Sequence, residues 1–176
     1  QGRGQCKDAG TGGGVTSDPD CGYFASMRLV IQRVREATVR TAGGESGRIG
    51  PGLLILVGCE PTDGTDDLDW LARKAVDLRI FDDEDGVMNR SVREVGGGIL
   101  LVSQFTLLAS TRKGARPSWH RAARPEVAEP LCREFHRRLE ALLDRRVPQG
   151  VFGAHMEVSL VNDGPVTLIL DSRLRE

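Results

Sequence analysis

Apolar and polar positions divide the chain into groups of strands separated by two helical stretches. Residues 28 to 41 alternate well enough for one long, partly bulged strand, and Thr41 to Ser46, with Gly43 and Gly44, predicts a turn. Leu53 to Gly58 is a continuous apolar run, the pattern of a strand buried on both faces. Pro61 to Asp67 breaks that pattern and places acidic residues at a helix start. Leu68, Leu71, Ala72, Ala75 and Leu78 then recur at helical spacing. Asp82 to Gly86 reads as a solvated turn, since its acidic residues lack the spacing and final glutamate of an EF-hand loop. Leu100 to Leu108 predicts another buried strand, followed by a polar, arginine-rich loop over 109–124. Ala128, Leu131, Phe135, Leu139 and Leu142 mark a second helix, which tolerates Pro130 near its beginning. Two alternating runs around Asn162, Asp163, Gly164 and Pro165 predict a closing β-hairpin over 156–171. No internal repeat is present. Together these elements predict an α+β domain with a curved or barrel-like sheet.

Composition narrows the function classes. At 176 residues the chain suits one domain with a sizeable core. Lys and Arg number 24 against 25 Asp and Glu, so no overall positive field attracts nucleic acid. No apolar run approaches the roughly 18 residues needed to span a bilayer. Cys6, Cys21, Cys59 and Cys132 form no Cys-x-x-Cys pair, and their spacing suggests neither a zinc site nor a disulfide framework. Cys59 and Cys132 read as small buried apolar residues in a reducing compartment, the cytoplasm. Residues 1–26 are rich in glycine with almost no apolar pattern, so they cannot bury enough surface to offset their ordering entropy. They resemble neither a presequence nor a secretion signal and read as a disordered extension, or an artefact of expression or gene prediction, ahead of a domain over 27–176.

Two local features carry chemistry. Ser103, Gln104 and Thr106 interrupt an apolar strand, and buried polar groups cost free energy unless bonded locally or aimed at a ligand. Gly164-Pro165 sits between two alternating runs where proline serves no ladder bond, and X-Pro is where a cis peptide is cheap. Taken alone, that step reads as a turn that only reverses the chain. Ser103 and Thr106 are possible nucleophiles, but His120, His136 and His155 have no spacing that argues for a triad. His136, among Arg133, Arg137 and Arg138, reads as a solvated helix-face residue, and His155 as peripheral to any site.

Together, Ser103-Gln104-Phe105-Thr106-Leu107 and Asn162-Asp163-Gly164-Pro165-Val166-Thr167 resemble the two signature motifs of the D-aminoacyl-tRNA deacylases, first described as D-tyrosyl-tRNA deacylases. Met27 to Val34, Ile49 to Leu54, Leu78 to Phe81, Gly86 to Asn89, Thr111 to Gly114 and Phe152 to Ala154 match further landmarks, so the likeness runs from 27 to about 172. It implies a barrel-like β core with two outer helices, paired as a homodimer, acting without a cofactor or metal on the ester at the 3′-terminal adenosine of aminoacyl-tRNA. Backbone N–H groups around Phe105 and Thr106 would stabilise the developing oxyanion, with the RNA 2′-hydroxyl assisting. The hydroxyls of Ser103 and Thr106 would position the ester or water, Gln104 and Phe105 complete the catalytic residues, and a nucleophilic Thr106 remains the alternative. The resemblance further implies a cis Gly164-Pro165 step inserted into the partner's site, where its carbonyls exclude L side chains and admit D-aminoacyl and glycyl esters, including glycine mischarged on tRNA-Ala. Asn162 belongs to that motif, Arg33 matches the arginine that steadies the loop, and Phe152 matches an aromatic beside the adenine. Arg112 and Lys113 are placed to meet tRNA phosphates or simply to be solvated.

The chain departs from the common pattern at Leu108, at Trp119-His120-Arg121 and at His155, where the family usually has an aspartate. Two rivals stand beside this reading. A related editor removes L-alanine from mischarged tRNA, but it departs from both signatures, so Phe105 and Asn162 argue against it. The other is a non-catalytic barrel that binds RNA or a protein partner.

Overall fold

In the computed structural model, which describes residues 26–112 and 114–175, one long bent strand organises the sheet. β1 (Arg28–Thr41) is antiparallel to β3 (Gly52–Gly58) over its first half and to β2 (Gly44–Ile49) over its second. β6 (Gly98–Ser103) extends β3 in parallel, from Gly52 opposite Gly98 to Val57 opposite Ser103. A parallel neighbour requires a crossover. α1 (Thr65–Asp77) and the short pair β4 (Phe81–Asp82) and β5 (Met88–Arg90) supply it. α2 (Pro125–Leu143) packs beside α1, and β7 (Glu157–Asp171) runs along the other edge of β1. β2 also approaches β6, so the sheet curls into a half-barrel with two helices outside, the α+β architecture expected.

The continuous apolar run of β3 is explained by its two faces. Leu53, Ile55 and Val57 join Leu29, Ile31, Leu71, Phe135 and Leu139 in the core beneath the helices. Leu54 points the other way, into a smaller core with Val34, Val39, Leu100 and Val102. Both faces are apolar because both are covered, and each fully buried leucine contributes roughly 1.5–3 kcal/mol.

Three predicted elements change. The expected hairpin is a single strand. β7 stays paired with β1 throughout, and one residue of β1, Arg33, faces four of β7, Asp163 to Val166, between the pairs Gln32–Thr167 and Val34–Asn162. Alternation on both sides of the Gly-Pro step imitates two strands; a partner long enough to hold both halves makes them one bulged strand. The predicted strand over 100–108 ends at Ser103 and passes into a 3₁₀ turn, Phe105–Leu108, pinned by the fully buried Leu108. The turn over 41–46 is shorter than expected, since β2 begins at Gly44. Pro130 lies farther into α2 than the pattern suggested, and the Glu126 carbonyl that its missing N–H leaves free sits at an exposed position. Cys6, Cys21, Lys113 and residues 1–25 lie outside the described residues.

Candidate active site

The first polar signature is positioned by the end of β3. The Gln104 N–H donates to the Val57 carbonyl at 2.6 Å as β6 leaves the ladder. Gly58 permits this crossing, because a Cβ there would come within 3.0 Å of the Gln104 carbonyl oxygen. The Leu107 N–H closes the 3₁₀ turn on the Gln104 carbonyl at 3.2 Å. The N–H groups of Phe105 and Thr106 open that turn, so neither has a carbonyl partner within it. Arg28 holds the turn from below, donating to the Leu107 carbonyl at 3.3 Å while paired with Asp171 at 2.9 Å. Burial raises the Asp171 carboxyl, but bonds from Arg28, the Ser26 hydroxyl and the Arg173 and Leu174 N–H groups outweigh it and keep the group below its ordinary value.

Ser103, Gln104 and Phe105 line a cavity of about 510 Å³ with Phe152, Trp119, His155, Cys59 and Cys132. Phe105 is 55% exposed, and its ring meets Trp119 edge-on with centroids 5.4 Å apart. Thr106 is not among the lining residues; the Gln104 side-chain amide donates to its hydroxyl. His155 lines the cavity and is not peripheral. His136 is not a solvated surface residue: its side chain is only 12% exposed, and its Nε2 lies 2.7 Å from the Val147 carbonyl oxygen, tying the second half of α2 to the segment that follows it. His120 sits in the loop, with Nδ1 3.0 Å from the Ser118 hydroxyl. Arg112, Arg116 and Arg121 line an adjoining basin, where Arg121 pairs with the buried Glu60 at 2.7 Å.

The second signature occupies a different end of the sheet. The Gly164–Pro165 peptide is cis, and Gly164 has φ +123, where a Cβ would meet Val166 Cγ2 at 2.9 Å and Arg33 Nη2 at 3.0 Å. Arg33 is 7% exposed. It donates to the Ile80 carbonyl at 2.6 Å and the Asp163 carbonyl at 3.1 Å, and reaches Asp82 at 3.4 Å. Asn162 is half-buried, and its Oδ1 has no hydrogen-bond partner among the described residues. Gly164 and Pro165 are exposed and do not line the Ser103 cavity. Arg33 pairs with Leu53, which pairs with Ile99, four positions before Ser103. With three strand spacings added, the two signatures lie roughly 20 Å apart along the sheet.

Sequence reasoning missed Trp119, His155, Cys59 and Cys132 as cavity residues. Only Trp119 left a signal, as a large aromatic in an otherwise polar loop. Among the described residues, no group of three His, Cys, Asp or Glu is placed to hold a metal ion, and no helix is long and apolar enough to cross a membrane.

An apolar cavity lined by Ser103 and Gln104, beside a 3₁₀ turn whose first N–H groups have no partner within it, is equipment for polarising a carbonyl, the task of an acyl-transfer enzyme or hydrolase. The profile of the family described as D-Tyr-tRNA(Tyr) deacylase matches residues 30–171. A D-aminoacyl-tRNA deacylase of Dechloromonas aromatica (strain RCB) is 59% identical over 150 residues, covering 85% of this chain and 100% of its own. One from Akkermansia muciniphila is 61% identical over 150 residues, with the same coverage. A solved structure described as c-Myc DNA Unwinding Element Binding Protein has TM-score 0.76 and 38% identity, over 81% of this chain and 97% of its own. Another, of a probable eukaryotic D-amino acid tRNA deacylase, shares the fold at TM-score 0.72 and 18% identity, over 83% and 99%. The chain belongs to the D-Tyr-tRNA(Tyr) deacylase family, whose members are hydrolases acting on aminoacyl-tRNA.

Proposed function

We propose that this chain hydrolyses the ester of D-aminoacyl-tRNA, releasing tRNA and the free D-amino acid, and that two copies form the working unit. The observation that carries this reading is the separation of the two signatures. One is an open cavity with N–H groups left over from the ladder; the other is a rigid exposed protrusion roughly 20 Å away on the same sheet. Each complements the other only if it comes from a different copy. β7 favours such pairing: it is an edge strand with Val158, Val161 and Ile169 exposed, the last at 72%.

In this reading the terminal adenine stacks on Phe152, worth ~1–3 kcal/mol. The ester carbonyl faces the Phe105 and Thr106 N–H groups, and the RNA 2′-hydroxyl assists attack of water. Ser103 and the Gln104–Thr106 pair fix the approach. The partner's Gly164–Pro165 carbonyls, held by Arg33 and flanked by Asn162, fill the volume an L side chain needs and leave room for a D side chain or for glycine. The cytoplasm, where charged tRNA is used, is the setting. The DNA-binding name carried by one solved relative gains no support from charge, since 24 cations face 25 anions.

The test is deacylation of D-Tyr-tRNA beside L-Tyr-tRNA, with light scattering on the same sample. A large preference for the D ester from a dimer is expected, and a substrate ending in 2′-deoxyadenosine should react far more slowly. Equal rates on both esters, or an active monomer, would overturn the reading.

A further inference from the structure

Cys59 and Cys132 are 73 positions apart in sequence, yet their Sγ atoms lie 3.6 Å apart as free thiols. Cys59 follows directly on β3, Cys132 lies on α2, and both face the cavity that holds Ser103, Gln104 and Phe105. The pair is asymmetric. Cys59 is 4% exposed, while Cys132 is half-buried on a wall open to solvent. The hydrogen bond between them, reinforced by burial, pushes the Cys59 thiol far up. The same bond lowers the Cys132 thiol, against the opposing effects of burial and Glu129. Cys132 is therefore the more accessible sulfur and the one whose deprotonation the contact favours, with the Cys59 sulfur 3.6 Å away.

We infer that Cys59 and Cys132 form a reversible thiol–disulfide site in the cavity wall, oxidised by hydroperoxides. The Cys132 thiolate attacks a peroxide oxygen and the O–O bond breaks. The departing oxygen leaves as water after protonation, and Cys132 becomes a sulfenic acid. The Cys59 sulfur then attacks the Cys132 sulfur; an S–S bond forms, the S–O bond breaks, and a second water leaves with the Cys59 proton. Two thiols and one hydrogen peroxide become one disulfide and two waters, with two electrons passing from sulfur to oxygen. A disulfide of about 2.05 Å requires the sulfurs to close by about 1.5 Å from their present contact. That closure draws the Ala128–Cys132 turn of α2 toward β3, and both elements contribute lining residues. The cavity narrows, and turnover of an ester bound there falls.

The experiment uses the full chain treated with graded hydrogen peroxide, alkylated and mapped as tryptic peptides. The expected product joins the Cys59 and Cys132 peptides with loss of two hydrogens and is reversed by dithiothreitol. C59S should trap a dimedone-reactive sulfenic acid on Cys132. C132S should leave Cys59 unoxidised. On D-Tyr-tRNA the oxidised protein should be at least threefold slower than the reduced one, recovering with dithiothreitol, while C132S should keep its own rate through peroxide treatment. Two fully alkylatable thiols after peroxide, linkage only to Cys6 or Cys21, or an oxidised protein with an unchanged rate would overturn the inference. The rate measurement rests on the deacylase reading; an inactive reduced protein would sink that reading and leave the peptide map to decide the disulfide.

Discussion

The two ends of the sheet are built in opposite ways. Around Ser103 the chain leaves its ladder, turns once as a 3₁₀ segment and brings Ser103, Gln104 and the exposed Phe105 ring to an open cavity. Around Gly164 the chain is tied down: a buried arginine binds two carbonyls and reaches a carboxylate across three elements. The first N–H groups of the 3₁₀ turn have no partner within it, whereas the other end satisfies its anchoring arginine and so holds its shape. The proposed function asks for this difference: rejection by steric exclusion needs a stiff object, whereas polarising an ester needs unoccupied donors.

Removing Arg33 should break the contrast most severely. Arg33→Ala leaves the Ile80 and Asp163 carbonyls without their donor, and a loss of about 2–4 kcal/mol in urea unfolding is expected. A loss below 0.5 kcal/mol would show that the protrusion does not depend on this anchor. Gly164→Ala keeps the anchor but places a Cβ 2.9 Å from Val166 and 3.0 Å from Arg33, at a φ of +123 that L residues rarely adopt. The D-to-L rate ratio should fall about tenfold or more, equivalent to ~1.4 kcal/mol, mainly through faster cleavage of the L ester. An unchanged ratio would remove the protrusion from the filter.

At the receptive end, Thr106→Ala should cost less than about tenfold in kcat, because the hydroxyl is already engaged by Gln104 and sits outside the cavity lining. Loss of several orders of magnitude in a folded variant would make Thr106 the nucleophile. The smallest effect lies in the loop that follows Cys59. Burial pushes the Asp63 carboxyl up to about 6, opposed by the Glu60 N–H bond and assisted by the Asp67 and Glu60 carboxylates. A folded pKa above the unfolded one means the fold binds that proton more tightly. Its contribution is therefore present below about pH 4 and lost as pH rises through about 6. Asp63→Asn should remove of order 1 kcal/mol of that pH dependence between pH 4 and 7. Parallel stability–pH curves for the two proteins would exclude Asp63 as the titrating group.

Much of this was legible along the chain. The span of β1, the double-sided burial of β3 and the paths of both helices follow from apolar period, because period reports which face of an element meets water. The polar interruption at Ser103–Thr106 and the Gly164–Pro165 step were visible as local departures from that period. What period does not carry is the choice of partner. A gap in alternation at Asn162–Pro165 looks the same whether the chain reverses or bulges, and only the continuous pairing of β7 with β1 makes it a bulge. The turn after Ser103 depends on the Val57 carbonyl and on Gly58, which belong to another strand. The convergence of Cys59 with Cys132, and of Phe105 with Trp119, likewise arises where distant segments pack. Burial pattern is a property of each segment and is written in its residues; register, convergence and cavity are set by which segments share hydrogen bonds, and the tertiary fold alone decided those.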